Sequence, residues 1–71
     1  LTYSPRTVSG RENWVLIGSR PNGMIAEWKN GDFKVVREDL PRWASSAVVL
    51  EGQLILVGNE KGRLYIEIHT L

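Results

Sequence analysis

Shifted by 40 residues against itself, the sequence lays residues 13–29 on residues 53–69 without a gap, and this period constrains the fold most. Leu16/Leu56, Gly18/Gly58 and Glu27/Glu67 are identical, while Val15/Ile55, Ile17/Val57, Met24/Leu64 and Asn13/Gln53 are conservative. An apolar run, a glycine, a turn and an alternating strand recur in the same order. A period of about 40 residues with β patterning is the spacing of propeller blades and not of helical repeats.

Turn chemistry cuts the chain into short strands. Asn30-Gly31, between Trp28 and Phe33, is a strong hairpin signal, because a type I′ turn needs positive φ at both central residues. Glu51-Gly52 links its flanking apolar runs tightly, and Pro21-Asn22-Gly23 and Glu60-Lys61-Gly62 are turn sequences before the third strand of each unit. The first unit is then predicted to have strands at residues 6–9, 13–17, 24–29 and 32–37, and the second at 43–50, 53–57 and 63–69. Residues 14–17 and 54–57 are continuously apolar, as in strands covered on both faces. In the third strands Met24, Ala26 and Trp28 share one side, as do Leu64, Ile66 and Ile68, with Glu27 and Glu67 on the other. On that phase Trp14, Trp28 and Phe33 are expected in the core. Ala44, Ser45, Ser46 and Ala47 suit an innermost, crowded strand. Helical periodicity is absent.

The expected fold class is therefore all-β: about two antiparallel four-stranded β-propeller blades. They divide the chain at about residues 1–31 and 32–71, permuted so that the outer strand comes first, with residues 1–4 as a fourth strand. A propeller needs at least four blades. The chain of 71 residues is then completed by oligomerisation or belongs to a larger propeller. A small SH3-like barrel is the alternative. Self-association is expected on independent grounds, because a chain this short buries only about 60% of its unfolded surface. With no Cys, neither disulfides nor a Cys-ligated metal supports it.

The lead-in Leu40-Pro41-Arg42, the small and apolar strand from Ser45 to Val49, and the run from Gly52 to Gly58 resemble the kelch repeat of β-propellers. The earlier copy has residues 14–18, then Trp28 and Phe33 where that family's two aromatics fall. The second glycine of its pair is replaced by Ser19 in one copy and Asn59 in the other, and the period is short for the family. Residues 18–28 are similar to the third-strand signature of WD-repeat and regulator-type propellers, and residues 22–31 to repeats of sugar-binding propeller lectins. These resemblances imply blades that present loops for recognition, and they imply no cofactor.

The chemistry visible in the sequence is sparse. Nine Lys+Arg against eight Asp+Glu give a net charge of +1 without a basic run, which argues against a nucleic-acid partner. Apolar runs of four residues predict no membrane span. His69, the one histidine, has no Cys or carboxylate cluster beside it with zinc spacing, and is expected as a strand-end surface residue. Glu27 and Glu67 recur at one offset, yet equivalent positions fall in different blades, so solvated or ion-paired carboxylates are expected instead of an acid–base pair. No serine sits in Gly-x-Ser-x-Gly, and residues 18–23 lack the Lys-Ser/Thr ending of a phosphate loop. No catalytic residue or metal ligand is assigned.

The candidate partner-binding residues are Arg20 and Asn22 in one turn and Arg42 with Trp43 after Leu40-Pro41. Arginine and tryptophan combine contact area with polar reach. Trp43 packed between blades and solvated arginines are the competing structural readings. The function expected is a non-enzymatic binding and assembly module that recognises a protein. Carbohydrate binding is the first alternative, and a fragment of a larger propeller protein or enzyme the second.

Overall fold

The computed structural model describes residues 5–18 and 22–71, and the reading of residues 1–4 as a strand lies outside them. The chain is all-β. Among the described residues seven strands run in order: β1 Arg6–Ser9, β2 Arg11–Ile17, β3 Gly23–Lys29, β4 Asp32–Leu40, β5 Ala44–Leu50, β6 Gln53–Glu60 and β7 Arg63–Thr70. The expected punctuation sets them. Asn30-Gly31, Glu51-Gly52 and Lys61-Gly62 each place two successive residues at positive φ, between 50° and 80°, as type I′ turns require. At Gly10 (φ 90°) the chain passes from β1 to β2 so close to β5 that a Cβ would lie 2.2 Å from the Val49 carbonyl oxygen. Only glycine fits there.

The seven strands form one sheet in the order β4-β3-β2-β1-β5-β6-β7. All neighbours are antiparallel except β1 and β5, which run parallel through Val8/Ala47 and Ser9/Val48. β1–β4 and β5–β7 are therefore joined edge to edge through β1 and β5 in one sheet.

A flat sheet is excluded by the β4–β5 connection. Three residues separate Leu40 from Ala44, a reach of about 14 Å at most. Four strand steps in a flat sheet need about 19 Å. The sheet consequently curls into a half-barrel, with Leu40 buried in its interior.

Paired residues share a face, so the ladders assign each side chain. Trp14, Leu16, Ile25, Ala47, Val49, Leu54 and Leu56 fall on the inner face, and with Val8 and Leu40 they form the buried core. Leu16, Ile25, Leu54 and Leu56 are fully enclosed. Each contributes roughly 1.5–3 kcal/mol relative to an exposed side chain.

The expected phase of β3 is corrected here. Ile25, not Trp28, points inward; Trp28 and Phe33 lie on the outer face, 49% and 56% exposed, with rings edge-on at 4.7 Å. The reason is that β3 is apolar on both faces, so its own alternation does not say which is inside. Glu27 tolerates the inner face because Trp14 Nε1 and Asn13 Nδ2 donate to its Oε2 at 3.1 and 3.2 Å. The same inversion holds in β7. Leu64, Ile66 and Ile68 are outward and well exposed, while Tyr65, Glu67 and His69 line the inner side.

The 40-residue match also breaks in register. Glu27 is opposite Trp14, whereas Glu67 is opposite Leu56, two residues out of equivalence. The cause is the connection: residues 18–22 lead from β2 to β3, but a two-residue turn leads from β6 to β7.

Candidate binding end

β2, β4 and β6 all run toward one end of the half-barrel, so Gly18, Asn22, the β4–β5 connection and the Lys61-Gly62 turn collect there. Asn22, Arg42 and Trp43 consequently share this end. Arg20 lies outside the described residues.

Each of the three is held by a partner on another element. Asn22 Nδ2 donates to Asp39 Oδ1 at 3.3 Å. Asp39 is at φ 56°, in the left-handed region that Asp tolerates better than most residues. Arg42 Nε donates to Glu60 Oε2 at 2.7 Å. Its side chain remains 65% exposed, so this ion pair orients the guanidinium more than it stabilises the fold. Trp43 is half-buried and stacks on Tyr65, with ring centroids 5.3 Å apart and planes 24° from parallel.

The stack explains Gly58. A Cβ at that position would lie 1.7 Å from the Trp43 carbonyl oxygen and 2.9 Å from its Cε3. The glycine therefore lets Trp43 lie directly over β6. Structure and presentation coincide at Trp43, because its ring packs against the core and also borders the open end.

The residues that the sequence left unassigned here are Asp39, Glu60 and Tyr65. Tyr65 had a usable signal: strand alternation puts it on the side of Glu67, opposite Leu64 and Ile66. Asp39 and Glu60 had none, since their pairing depends on how the sheet curls.

The remaining polar groups are engaged locally. Glu67 Oε1 and His69 Nε2 meet at 2.5 Å, on the inner side of β7. His69 stands near the end of β7, as expected, and is half-buried in this pair. Glu27 is occupied by Trp14 and Asn13, so the two repeated carboxylates serve different neighbours. Among the described residues no three His, Cys, Asp or Glu side chains gather as a metal site. No buried side-chain polar atom is left without a partner among them. At the other end, an open depression of about 420 Å³ is lined by Lys29, Asn30, Asp32, Phe33 and Lys34. It is the outside of the Asn30-Gly31 hairpin. No described helix is long and apolar enough to cross a membrane.

Comparison of the chain with protein-family models, with curated proteins and with solved structures finds no match.

Proposed function

We propose that this chain is a non-enzymatic binding and assembly module of the β-propeller kind, which presents the end carrying Asn22, Arg42 and Trp43 to a protein partner. The observation that supports it most is the mounting of Arg42 and Trp43. A well-exposed guanidinium and a half-buried indole stand on a three-residue connection, each fixed by a contact to β6 or β7. Loops held rigidly by a sheet are where recognition concentrates, and pre-oriented side chains lose less entropy on binding.

On this reading the two units are blades whose outer faces are covered by further copies. Support comes from the outer face, where Trp28, Phe33, Val35, Leu50, Leu64, Ile66 and Ile68 stand exposed on one side of a single sheet. Exposed apolar surface on this scale marks an interaction site.

The test is selection of peptide ligands from a display library, followed by NMR titration of the labelled chain. Shifts centred on the Trp43 indole and the Arg42 side chain support the reading. Ligands that map to the Asn30-Gly31 end overturn it.

One observation favours a carbohydrate as the second reading. Tyr65, stacked on Trp43, shares the inner side of β7 with Glu67 and His69, which combines a ring platform with hydrogen-bonding groups. Titration with simple sugars, read on the Trp43 and His69 signals, separates the two.

A further inference from the structure

The open side of β7 has a defined hydrogen-bonding register. Leu71 N donates to Gly52 O at 2.9 Å, which continues the β6–β7 ladder one step beyond its last pair. Hydrogen-bonded and non-hydrogen-bonded pairs alternate along an antiparallel ladder. Arg63, Tyr65, Glu67 and His69 therefore bond to β6, and the backbone groups of Leu64, Ile66, Ile68 and Thr70 face away from it. Thr70 shows this directly, since its carbonyl accepts from Arg37 Nη2 at 2.8 Å. Among the described residues no strand pairs with β7 on that side.

The charges of the strand are arranged about its middle. Arg63 lies two residues before Tyr65 and Glu67 two residues after it, all on the inner face. Reversed about Tyr65, the strand sets each arginine against a glutamate. On the outer face the row Leu64, Ile66, Ile68 carries no charge, and β7 has neither a proline nor a bulge to block an incoming strand.

We propose that β7 is a self-association edge, along which two copies pair antiparallel about a twofold axis at Tyr65. Leu64 then exchanges backbone hydrogen bonds with Ile66 of the second copy, and Arg63 faces Glu67 of the second copy. The two exposed apolar rows become one. This deepens the assembly part of the reading above by naming the edge and the partner. Other registers are worse. Centring on Glu67 opposes two like charges. Centring on Ile66 brings the Gly62 turn of the second copy onto Thr70, whose carbonyl already holds Arg37.

The test uses the 71-residue chain, which has no cysteine, so single introduced thiols report cleanly. Sedimentation over a range of concentrations should show a monomer–dimer equilibrium. Glu67→Arg should weaken the dimer about tenfold or more, and Arg63→Glu combined with Glu67→Arg should restore it. Tyr65→Cys sits on the axis in a non-hydrogen-bonded pair, about 4.5 Å between Cα atoms, and should oxidise to a disulfide dimer faster than Ile66→Cys. Should Tyr65→Cys fail to fold, the single variants Arg63→Cys and Glu67→Cys, mixed in equal amounts, should cross-link across the next non-hydrogen-bonded pair and leave the Trp43 stack intact. A wild-type chain that stays monomeric at millimolar concentration overturns the proposal. So does a dimer that neither charge reversal nor these cysteines affect. That last outcome would locate assembly on the outer face and leave the module reading standing.

Discussion

Among the described residues β4 and β7 are the two edges of one sheet, and they differ in how they are guarded. Five of the nine residues of β4 are charged: Asp32, Lys34, Arg37, Glu38 and Asp39. Its pairing with β3 slips near Ile25, and Asp39 adopts positive φ, so the strand bends before it ends. β7 instead pairs with β6 through eight consecutive residues without a slip. Charge, irregularity and bends are the ordinary means of keeping an edge from recruiting another strand. β4 has all three and β7 has none on its outer row. One edge is closed to pairing by its own residues, and the other is left open.

The largest effect should come from breaking what the edges share. Leu56 is fully enclosed on β6, the neighbour of β7, in the same core as Leu40 at the end of β4. Leu56→Glu puts an unpaired carboxylate there, at a cost comparable with the whole stability of so small a domain. It should abolish the cooperative melt, and amide protection in β4 and β7 should vanish together. Persistent protection of β4 alone would show that the edges belong to separate folding units.

The next contrast compares a glycine from each side. Gly58→Ala drives a methyl into the Trp43 backbone and should cost about 3 kcal/mol or more. Gly31→Ala meets no atom within 4 Å and strains only its φ of 77°, so about 1 kcal/mol is expected. Urea unfolding of the two variants measures the difference. Equal costs would mean that Trp43 does not depend on the gap at Gly58.

These glycines also mark what was legible in advance. Asn30-Gly31, Glu51-Gly52 and Lys61-Gly62 announced three hairpins, because two adjacent positive φ angles are a local demand that local residues answer. Strand positions followed, and β1 matched at both ends. Two matters were not local. The parallel pairing of β1 with β5 joins elements almost 40 residues apart, and no residue in either strand encodes it alone. The inward side of β3 was decided by Leu16 opposite Ile25, since Met24, Ala26 and Trp28 made an equally plausible apolar row. At the candidate end Arg42 and Trp43 stand out in the sequence by residue type, whereas Glu60 and Tyr65, which contact them, emerged only with the curl of the sheet.

A smaller effect on stability should accompany a large one on association. Ile66→Lys places a charge in the middle of the outer row of β7, where the side chain is 62% exposed. Stability should change by no more than about 0.5 kcal/mol. Self-association, read by light scattering, should fall sharply. Val35→Lys on the outer face of β4 should leave association nearly unchanged, because that edge is already guarded. If both substitutions act alike, the outer face as a whole is the contact and the contrast between edges has no bearing on assembly.

The smallest effect on stability concerns a hydrogen bond that joins the edges. Arg37, on β4, donates to the Thr70 carbonyl of β7, a group that would otherwise face open solvent. The hydrogen bond is exposed, so Arg37→Ala should cost about 1 kcal/mol or less in thermal or urea unfolding. Its influence on association should be the larger signal. Freeing the Thr70 carbonyl lengthens the open backbone row of β7 by one acceptor and removes a bulky cation beside it. Dimerisation of the variant should therefore strengthen, and registers centred nearer the C-terminal end of β7 should become accessible, visible as faster oxidation of Ile66→Cys in the Arg37→Ala background. A weaker dimer would assign Arg37 the opposite role: a side chain that supports the pairing edge instead of limiting it.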